Sequence, residues 1–599
     1  MYTINFFPSD LCVIAKEGET LSDVIKMSGL KINTICGGKG KCKKCNVFLV
    51  DDHGKDEKLL ACQTIVTKNM NVRIPPESEE YEHIVLTEGH YEPIILSPLL
   101  SKKYLPVLKL QQSDGFFEYL KRELSDQELS ASIPLSVLRK LPFFFDQKEN
   151  GITAVVEDGR LLTLEAGDTS QEMYGLAVDI GTTTVAAYLY NLKNGEKKAV
   201  ASELNGQISE GADVMSRVSA AGTRDGLELL HQKIVSTINN LVKTTSEKAG
   251  VNNKQIYSMV MVGNTSMQHL FLGLSPASLG RSPFTAVTKS IVKTSARELS
   301  ININPAGSVT FLPLIGGFIG ADTTGALLAA GFHHKLETRL LIDIGTNGEI
   351  VLAHNGKLLA CSTAAGPALE GASISFGMRA ASGAIEDIKI NDGKVSLKII
   401  GDHPAKGICG SGIVAAAAEM WRAGLLASSG RLKSPCKYQE SLQITEINGE
   451  KVFVLANSDK TVNGKPIYIS QKDIRQVQLA KAAIFSGAML LIEEMGISGE
   501  ELSEILLAGA FGSFININYA QEIGLLPFFQ NVPVRAIGNA AGAGAQAALL
   551  SSEVLDEAEA LAQRIEPFEL AAHSHFQKRF FAALNFPELN RDKITHNGE

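Results

Sequence analysis

The chain has 599 residues, 45% of them apolar and 20% charged, which is too long for one core and has the make-up of a soluble multidomain protein. Its formal charge of −8 offers no basic field to displace counterions from a nucleic-acid backbone, which excludes that partner class. No apolar run reaches spanning length and the N-terminus lacks a signal peptide's basic and apolar regions, so the expected address is the cytoplasm, away from membranes.

The first 80 residues read as a small β-rich domain. Thr3–Phe7 and Leu11–Ala15 form a hairpin turned by Pro8-Ser9-Asp10, and Thr20 caps a short helix that Ser28-Gly29 stops, with Asp23 as the capping-box partner. A Gly/Lys/Cys loop follows, then strands at Asn46–Val50 and Asn71–Ile74. Eight cysteines in the cytoplasm are not a disulfide framework, and four of them crowd into residues 36–62. Cys36, Cys42, Cys45 and Cys62 are spaced C-x5-C-x2-C-x16-C. Glycines 37, 38 and 40 let that loop wrap closely, and Lys39, Lys41, Lys43 and Lys44 favour thiolate over thiol. Four thiolates suit a 2Fe–2S cluster or zinc. Zinc sites usually show two short cysteine pairs, whereas three cysteines here share one loop, which favours iron–sulfur. Cys12, Cys361, Cys409 and Cys436 have no ligand spacing and read as small buried hydrophobes.

Residues 81–115 are acidic, proline-containing and mixed, which fits a linker, and 116–172 carry enough periodic structure for a small middle domain. From 173 to the end the chain is duplicated. GLAVDIGTTTVAAYLY (175–190) recurs as RLLIDIGTNGEIVLAH (339–354), aligning Asp179 with Asp343. Each copy is an apolar strand, a D-I-G-T turn and a returning strand, so two similar α/β lobes with a ligand cleft between them are expected. Gly181 and Gly345 let backbone N–H groups approach phosphate, and Thr182, Thr183, Thr184, Thr346 and Asn347 add side-chain donors, although two β-hairpins closed by ordinary turns would read the same way. Asp179 and Asp343 repel phosphate and so act through Mg2+ or orient the attacking water. In EILLAGAFGSF (504–514) and GNAAGAGAQAALL (538–550), glycines including Gly509 and Gly512 admit flat adenosine, although close helix packing also explains the second string. Asp322 is a candidate third cleft carboxylate, and Glu370 points into the cleft or lies on an exposed loop. His269 reads as a packed core histidine, and the amphipathic stretch Gln471–Ile484 as a surface helix.

The two phosphate hairpins and the later glycine-rich strand–turn resemble, in order, the motifs of the actin/sugar-kinase/heat-shock-chaperone superfamily. GADVMSRV, VGNTSMQHLF, CSTAAGPALEGASI, GICGSGIV and LLAGAFG, with the short cysteine loop ending LLACQ, resemble the reductive activators of corrinoid proteins over most of the chain. The fold this implies is multidomain α/β: an N-terminal β-grasp ferredoxin (1–80), a linker (81–115), a small middle domain (116–172) and duplicated actin-like, ribonuclease H-like ATPase lobes (173–599). The resemblance implies ATP-dependent reduction of a corrinoid protein's inactive Co(II) to Co(I), with a 2Fe–2S cluster, ATP and Mg2+, an unspecified electron donor, and a homodimer formed through the ATPase domains. Cys36, Cys42, Cys45 and Cys62 then hold the cluster, Asp179–Thr184 and Asp343–Asn347 hold phosphates and metal, and Gly509–Gly512 face adenosine. Relatives acting on methylamine systems carry C-terminal cysteine runs; none follows Gly544, which points to a corrinoid iron–sulfur protein or an O-demethylase corrinoid protein. A redox-linked nucleotide sensor and a ferredoxin-fused small-molecule kinase are the other readings.

Overall fold

The computed structural model describes residues 1–30, 32, 40, 45–50, 56–75, 78, 88–106, 115–125, 133–146, 151–371, 373–391, 393–433, 444–512 and 514–588. Cys36, Cys42 and Cys436 lie outside them.

The N-terminal sheet has five strands in the order Leu11–Ala15, Tyr2–Phe7, Met70–Arg73, Asn46–Val50, Asp56–Leu60. Tyr2–Phe7 pairs antiparallel with its hairpin partner and parallel with Met70–Arg73. The helix Leu21–Met27 is capped by Thr20, whose side chain accepts from the Asp23 N–H. It buries Leu21, Val24 and Ile25 (one face of a single turn) against Ile4, Phe6, Val47 and Val72. The strand Asp56–Leu60 escaped the sequence reading because DEKLL is charged; it forms an edge, where a polar outer face is tolerated and an Arg73–Asp56 ion pair ties it to its neighbour but one.

A three-stranded sheet of Leu100–Leu105, Ile152–Glu157 and Arg160–Ala166 follows the N-terminal sheet in the chain. Its first strand falls inside the stretch expected to be linker. LSKKYL reads as polar, yet Leu100 and Leu105 are buried at its ends, and the Lys102 ammonium is withdrawn from water and paired with Glu165 at 2.6 Å. A paired lysine can therefore occupy a strand that hydropathy alone passes over.

The remaining chain folds as two lobes with one topology. Each lobe has a six-stranded sheet; five strands common to both, numbered in chain order among themselves, lie in the spatial order 3-2-1-4-5. Val292–Ser295 and Ile565–Pro567 add the sixth at opposite ends, beside strand 5 in the first lobe and strand 3 in the second. In the first lobe the five common strands are Tyr174–Ile180, Thr184–Asn191, Glu196–Leu204, Ile256–Gly263 and Ser308–Phe311. In the second they are Arg339–Ile344, Gly348–His354, Lys357–Thr363, Glu504–Ala508 and Val534–Ala536. Each lobe has one long helix between its third and fourth strands, Arg224–Ala249 and Gln471–Met495, and each ends on a left-handed glycine, Gly250 and Gly496. The second contains the stretch expected on the surface. It instead buries Ile474, Val477, Ala480, Ile484 and Leu491, because the apolar face continues to Met495 and packs under the second sheet.

The helix Ala540–Leu550 returns from the second half of the chain into the core of the first lobe. It crosses Ala321–Ala329 so closely that a Cβ on Gly544 would lie 1.9 Å from the Gly325 carbonyl oxygen. Gly544 therefore serves helix packing, the alternative the sequence left open. Among the described residues no helix is long and apolar enough to cross a membrane.

Candidate functional site

The topology sets the two D-I-G-T turns facing each other across a cleft of about 320 Å³ between the lobes. Asp179, Gly181, Thr182, Thr183, Thr184, Asp343, Gly345, Thr346, Asn347 and Gly509 all line it, as do Asp322 and Glu370. Gly512 does not; it is buried against Leu507. Each turn is closed from its glycine, but one residue apart: the Gly181 N–H donates to the Thr184 carbonyl at 3.0 Å, three residues on, and the Gly345 N–H to that of Asn347 at 2.9 Å, two residues on. At Gly181 a Cβ would lie 2.6 Å from the Thr184 oxygen, so the first turn excludes any side chain there. Gly509 has φ +89°, and a Cβ on it would meet the Asp343 carboxylate at 2.6 Å. That position admits only glycine on both counts.

Several supports were not legible beforehand. Arg217, fully buried, donates to the Thr182 carbonyl and, through Nε, to that of Gly211 at 2.9 Å, which fixes the first turn from behind. Asn264 caps the helix Thr265–Phe271 and donates to Thr182 Oγ1 at 3.0 Å. Asn539 caps Ala540–Leu550 and donates to Asp179 Oδ2 at 2.9 Å. Glu349 stands directly across the strand pair from Asp343.

Five carboxyl groups thus converge on one cleft. Burial pushes Asp179 up to about 6, against the Asn539 hydrogen bond. Burial raises Asp343 to about 7, and the charges of Asp322 and Asp179 push the same way. Asp322 also stands at about 7, raised by burial and Asp179 and opposed by hydrogen bonds from Thr323. Glu349 lies well above the usual carboxylate range through burial, Asp322 and Asp343. Glu370 is raised by burial although Thr346 Oγ1 donates to it at 2.9 Å, so it faces the cleft rather than an exposed loop. An all-oxygen, mutually repelling set of this kind suits a hard divalent cation.

In the N-terminal domain, Cys45 and Cys62 are both buried, with their Sγ atoms 3.2 Å apart. That is too far for a disulfide, at about 2.05 Å, and close enough to ligate a common metal centre. Gln63 Nε2 lies 3.8 Å from the Cys62 sulfur as a donor. Gly40 packs against the Gln63 side chain with φ +70°. His269 is a satisfied core residue, with Nδ1 donating to the Thr265 carbonyl at 2.7 Å and Nε2 accepting from the Val287 N–H at 3.0 Å. Cys361 and Cys409 are buried, whereas Cys12 is exposed on its hairpin, contrary to expectation.

Known proteins match in the same order along the chain. Residues 6–67 match the 2Fe-2S iron–sulfur cluster binding domain, 89–171 the RACo linker region, 174–335 the RACo middle region and 337–597 the C-terminal domain of RACo, the ASKHA domain. The corrinoid activation enzyme RamQ of Eubacterium limosum is 38% identical over 573 residues, covering 94% of this chain and 95% of its own. The chain belongs to the RACo family of corrinoid activators.

A solved structure, the reductive activator for corrinoid, iron–sulfur protein, shares the family fold with a TM-score of 0.76 and 33% identity, covering 98% of this chain and 99% of that one. The [Co(II) methylated amine-specific corrinoid protein] reductase of Methanosarcina barkeri is 26% identical over 452 residues, 69% of this chain and 77% of its own. The matched models place a 2Fe-2S cluster binding domain and an ASKHA domain on one chain, in the order in which the cysteine pair and the carboxylate cleft occur.

Proposed function

We propose that this chain couples ATP hydrolysis in the Asp179/Asp343 cleft to reduction of a partner corrinoid protein from Co(II) to Co(I), with Cys36, Cys42, Cys45 and Cys62 holding the 2Fe–2S cluster. The observation that carries it is the presence, on one chain, of a buried thiol pair and a two-lobed carboxylate cleft, joined by a segment that hydrogen-bonds to the cleft's own Asn539. When bound, the cluster supplies single electrons, at about −400 mV for a plant-type centre. Each ~59 mV by which a one-electron donor falls short costs tenfold in equilibrium, which gives the reaction its need for ATP. The backbone N–H groups of the two turns, with Thr182, Thr183, Thr184, Thr346 and Asn347, bind and orient the phosphates. Asp179 and Asp343, with Asp322 and Glu349, hold Mg2+; Gly509 borders the nucleotide. Lobe closure on ATP alters the grip on the partner, and hydrolysis releases it.

The substrate is a corrinoid iron–sulfur protein or an O-demethylase corrinoid protein, and the chain works as a homodimer through its ATPase lobes. Mixing the chemically reduced protein with a Co(II) corrinoid protein under anaerobic conditions should yield the Co(I) absorbance only when ATP is added. Cys62→Ser should abolish it while leaving ATP binding intact. Equal Co(I) formation with nucleotide withheld rejects the reading.

The raised carboxyls give a second expectation. Mg2+ uptake needs them ionised, so Mg2+–ATP affinity should climb as pH rises from 6 to about 7.5, with net proton release at pH 6.5 measurable by calorimetry in two buffers. The sign for stability follows from the same shift. A carboxyl whose folded pKa lies above its unfolded value of about 4 favours the fold when protonated, and that contribution is lost as pH rises through 6 to 7. Mg2+ should therefore raise the melting temperature more at pH 8 than at pH 6. Equal increments at both values would contradict the cleft as the Mg2+ site.

A further inference from the structure

Behind the cleft, the chain passes from the first lobe to the second through a short connector after the helix Ala321–Ala329 and before the strand Arg339–Ile344. Two consecutive histidines, His333 and His334, stand on that connector, opposite Glu557 on the helix Ser552–Arg564. Their ligand atoms all lie within 4.8 Å of one another.

The contacts among them are not those of a hydrogen-bonded ion pair. Glu557 Oε2 is 3.0 Å from His333 Nε2 and 3.7 Å from His334 Nε2, yet this buried oxygen makes no hydrogen bond. The ring N–H of His333 is therefore not directed at the oxygen. Nor does its other nitrogen compensate: His333 Nδ1 is buried without a partner, on a side chain only 7% exposed. The buried Glu557 oxygen left in this way asks for an unseen partner on the Nε2 side of the ring.

The separations fit one. With bonds of about 2.0–2.2 Å to imidazole nitrogen and carboxylate oxygen, tetrahedral ligands lie about 3.4 Å apart, and 3.0 and 3.7 Å bracket that value. We propose that His333, His334 and Glu557 form a zinc site that ties the interlobe connector to the C-terminal helix. The donor set, two imidazoles and one carboxylate, suits Zn2+ rather than the hard, all-oxygen-ligated cation of the ATP cleft. Three protein ligands leave a fourth position for water.

The site sits where it can act on the cleft. The helix that leads into His333 carries Asp322 at its second position, and the strand that follows His334 carries Asp343 at its penultimate one. Fixing the connector restrains both carboxylates from behind, so the ion stabilises the lobe arrangement rather than taking part in the chemistry.

The test uses the full-length, cluster-loaded protein, stripped of loosely bound metal and titrated anaerobically with Zn2+ alone. One equivalent should bind, with an X-ray absorption spectrum showing a nitrogen/oxygen shell and imidazole scattering. His334→Ala, at an exposed position that tolerates truncation, should weaken binding at least about tenfold, the lower end of the cost of removing even an outer-sphere partner. Glu557→Gln should do the same, and Zn2+ should raise the melting temperature of the parent protein but not of either variant. A sulfur shell, no bound equivalent, or unchanged binding in His334→Ala would overturn the assignment.

Discussion

Replacing Asp343 with alanine is expected to abolish ATP-dependent Co(I) formation while leaving the visible spectrum of the N-terminal cluster intact. Asp343 is the penultimate residue of the second lobe's first strand and lies beside the turn that faces the first lobe. Its carboxylate is boxed in by Gly509, where no Cβ fits, and stands opposite Glu349. Removing a group that orients reacting phosphate or its water costs on the order of 10²- to 10⁴-fold in rate. The fold should not suffer. Asp343 is held above its ordinary pKa by burial and by Asp322 and Asp179, so its loss relieves repulsion. Melting temperature at pH 8 should stay level or rise, which separates a catalytic defect from misfolding. Partner-stimulated ATP hydrolysis should fall in parallel; Co(I) formation at the parent rate would remove Asp343 from the machinery.

What the sequence revealed about the cleft came from its symmetry, and what it hid came from the departures from symmetry. The duplicated D-I-G-T strings placed Asp179 and Asp343 on equivalent strands, and the shared 3-2-1-4-5 sheet order follows from that duplication. Glu349 was invisible because the first copy has Val185 at the matching position, so no repeat marks it. Asn264 and Asn539 sit at helix starts, where asparagine is unremarkable as a cap, and only the fold turns their remaining amide groups towards Thr182 and Asp179. Glycine content was ambiguous for a different reason. Close approach to a nucleotide and close approach to a neighbouring helix both require a missing Cβ, so Gly509 in the cleft and Gly544 against Gly325 look alike in one dimension. The N-terminal domain was more legible, since caps, hairpin and cysteine spacing are local signals.

Gly89→Ala should uncouple the two halves of the molecule, lowering Co(I) formed per ATP consumed by about tenfold with the cluster domain still folded. The segment leading out of the ferredoxin-type domain does not simply pass the cleft. Gly89 bridges antiparallel to Gly538, the Asn539 N–H donates to the Glu88 carbonyl at 2.9 Å, and the His90 N–H reaches the Ile537 carbonyl at 3.5 Å. Asn539 in turn donates to Asp179. The contact is backbone on backbone: a Cβ on Gly89 would lie 2.2 Å from the Asn539 oxygen, so alanine must push the two strands apart. That removes the Glu88 hold on Asn539 and lets Asp179 turn, a change of about 1.4 kcal/mol for a factor of ten, which is the scale of one or two net hydrogen bonds. The tether is also short. From Arg73, the end of the last ferredoxin-type strand, to Glu88 there are 15 residues, a reach of at most about 50 Å. If movement at Asn539 reaches the electron-carrying domain through the Glu88–His90 contacts, Co(I) yield per ATP should depend on residue 89, whereas a loose linker would leave ATP turnover and Co(I) yield independent of it. Measuring both quantities for Gly89→Ala decides between them, and an unchanged ratio would show that the lobes signal to the corrinoid partner by another route.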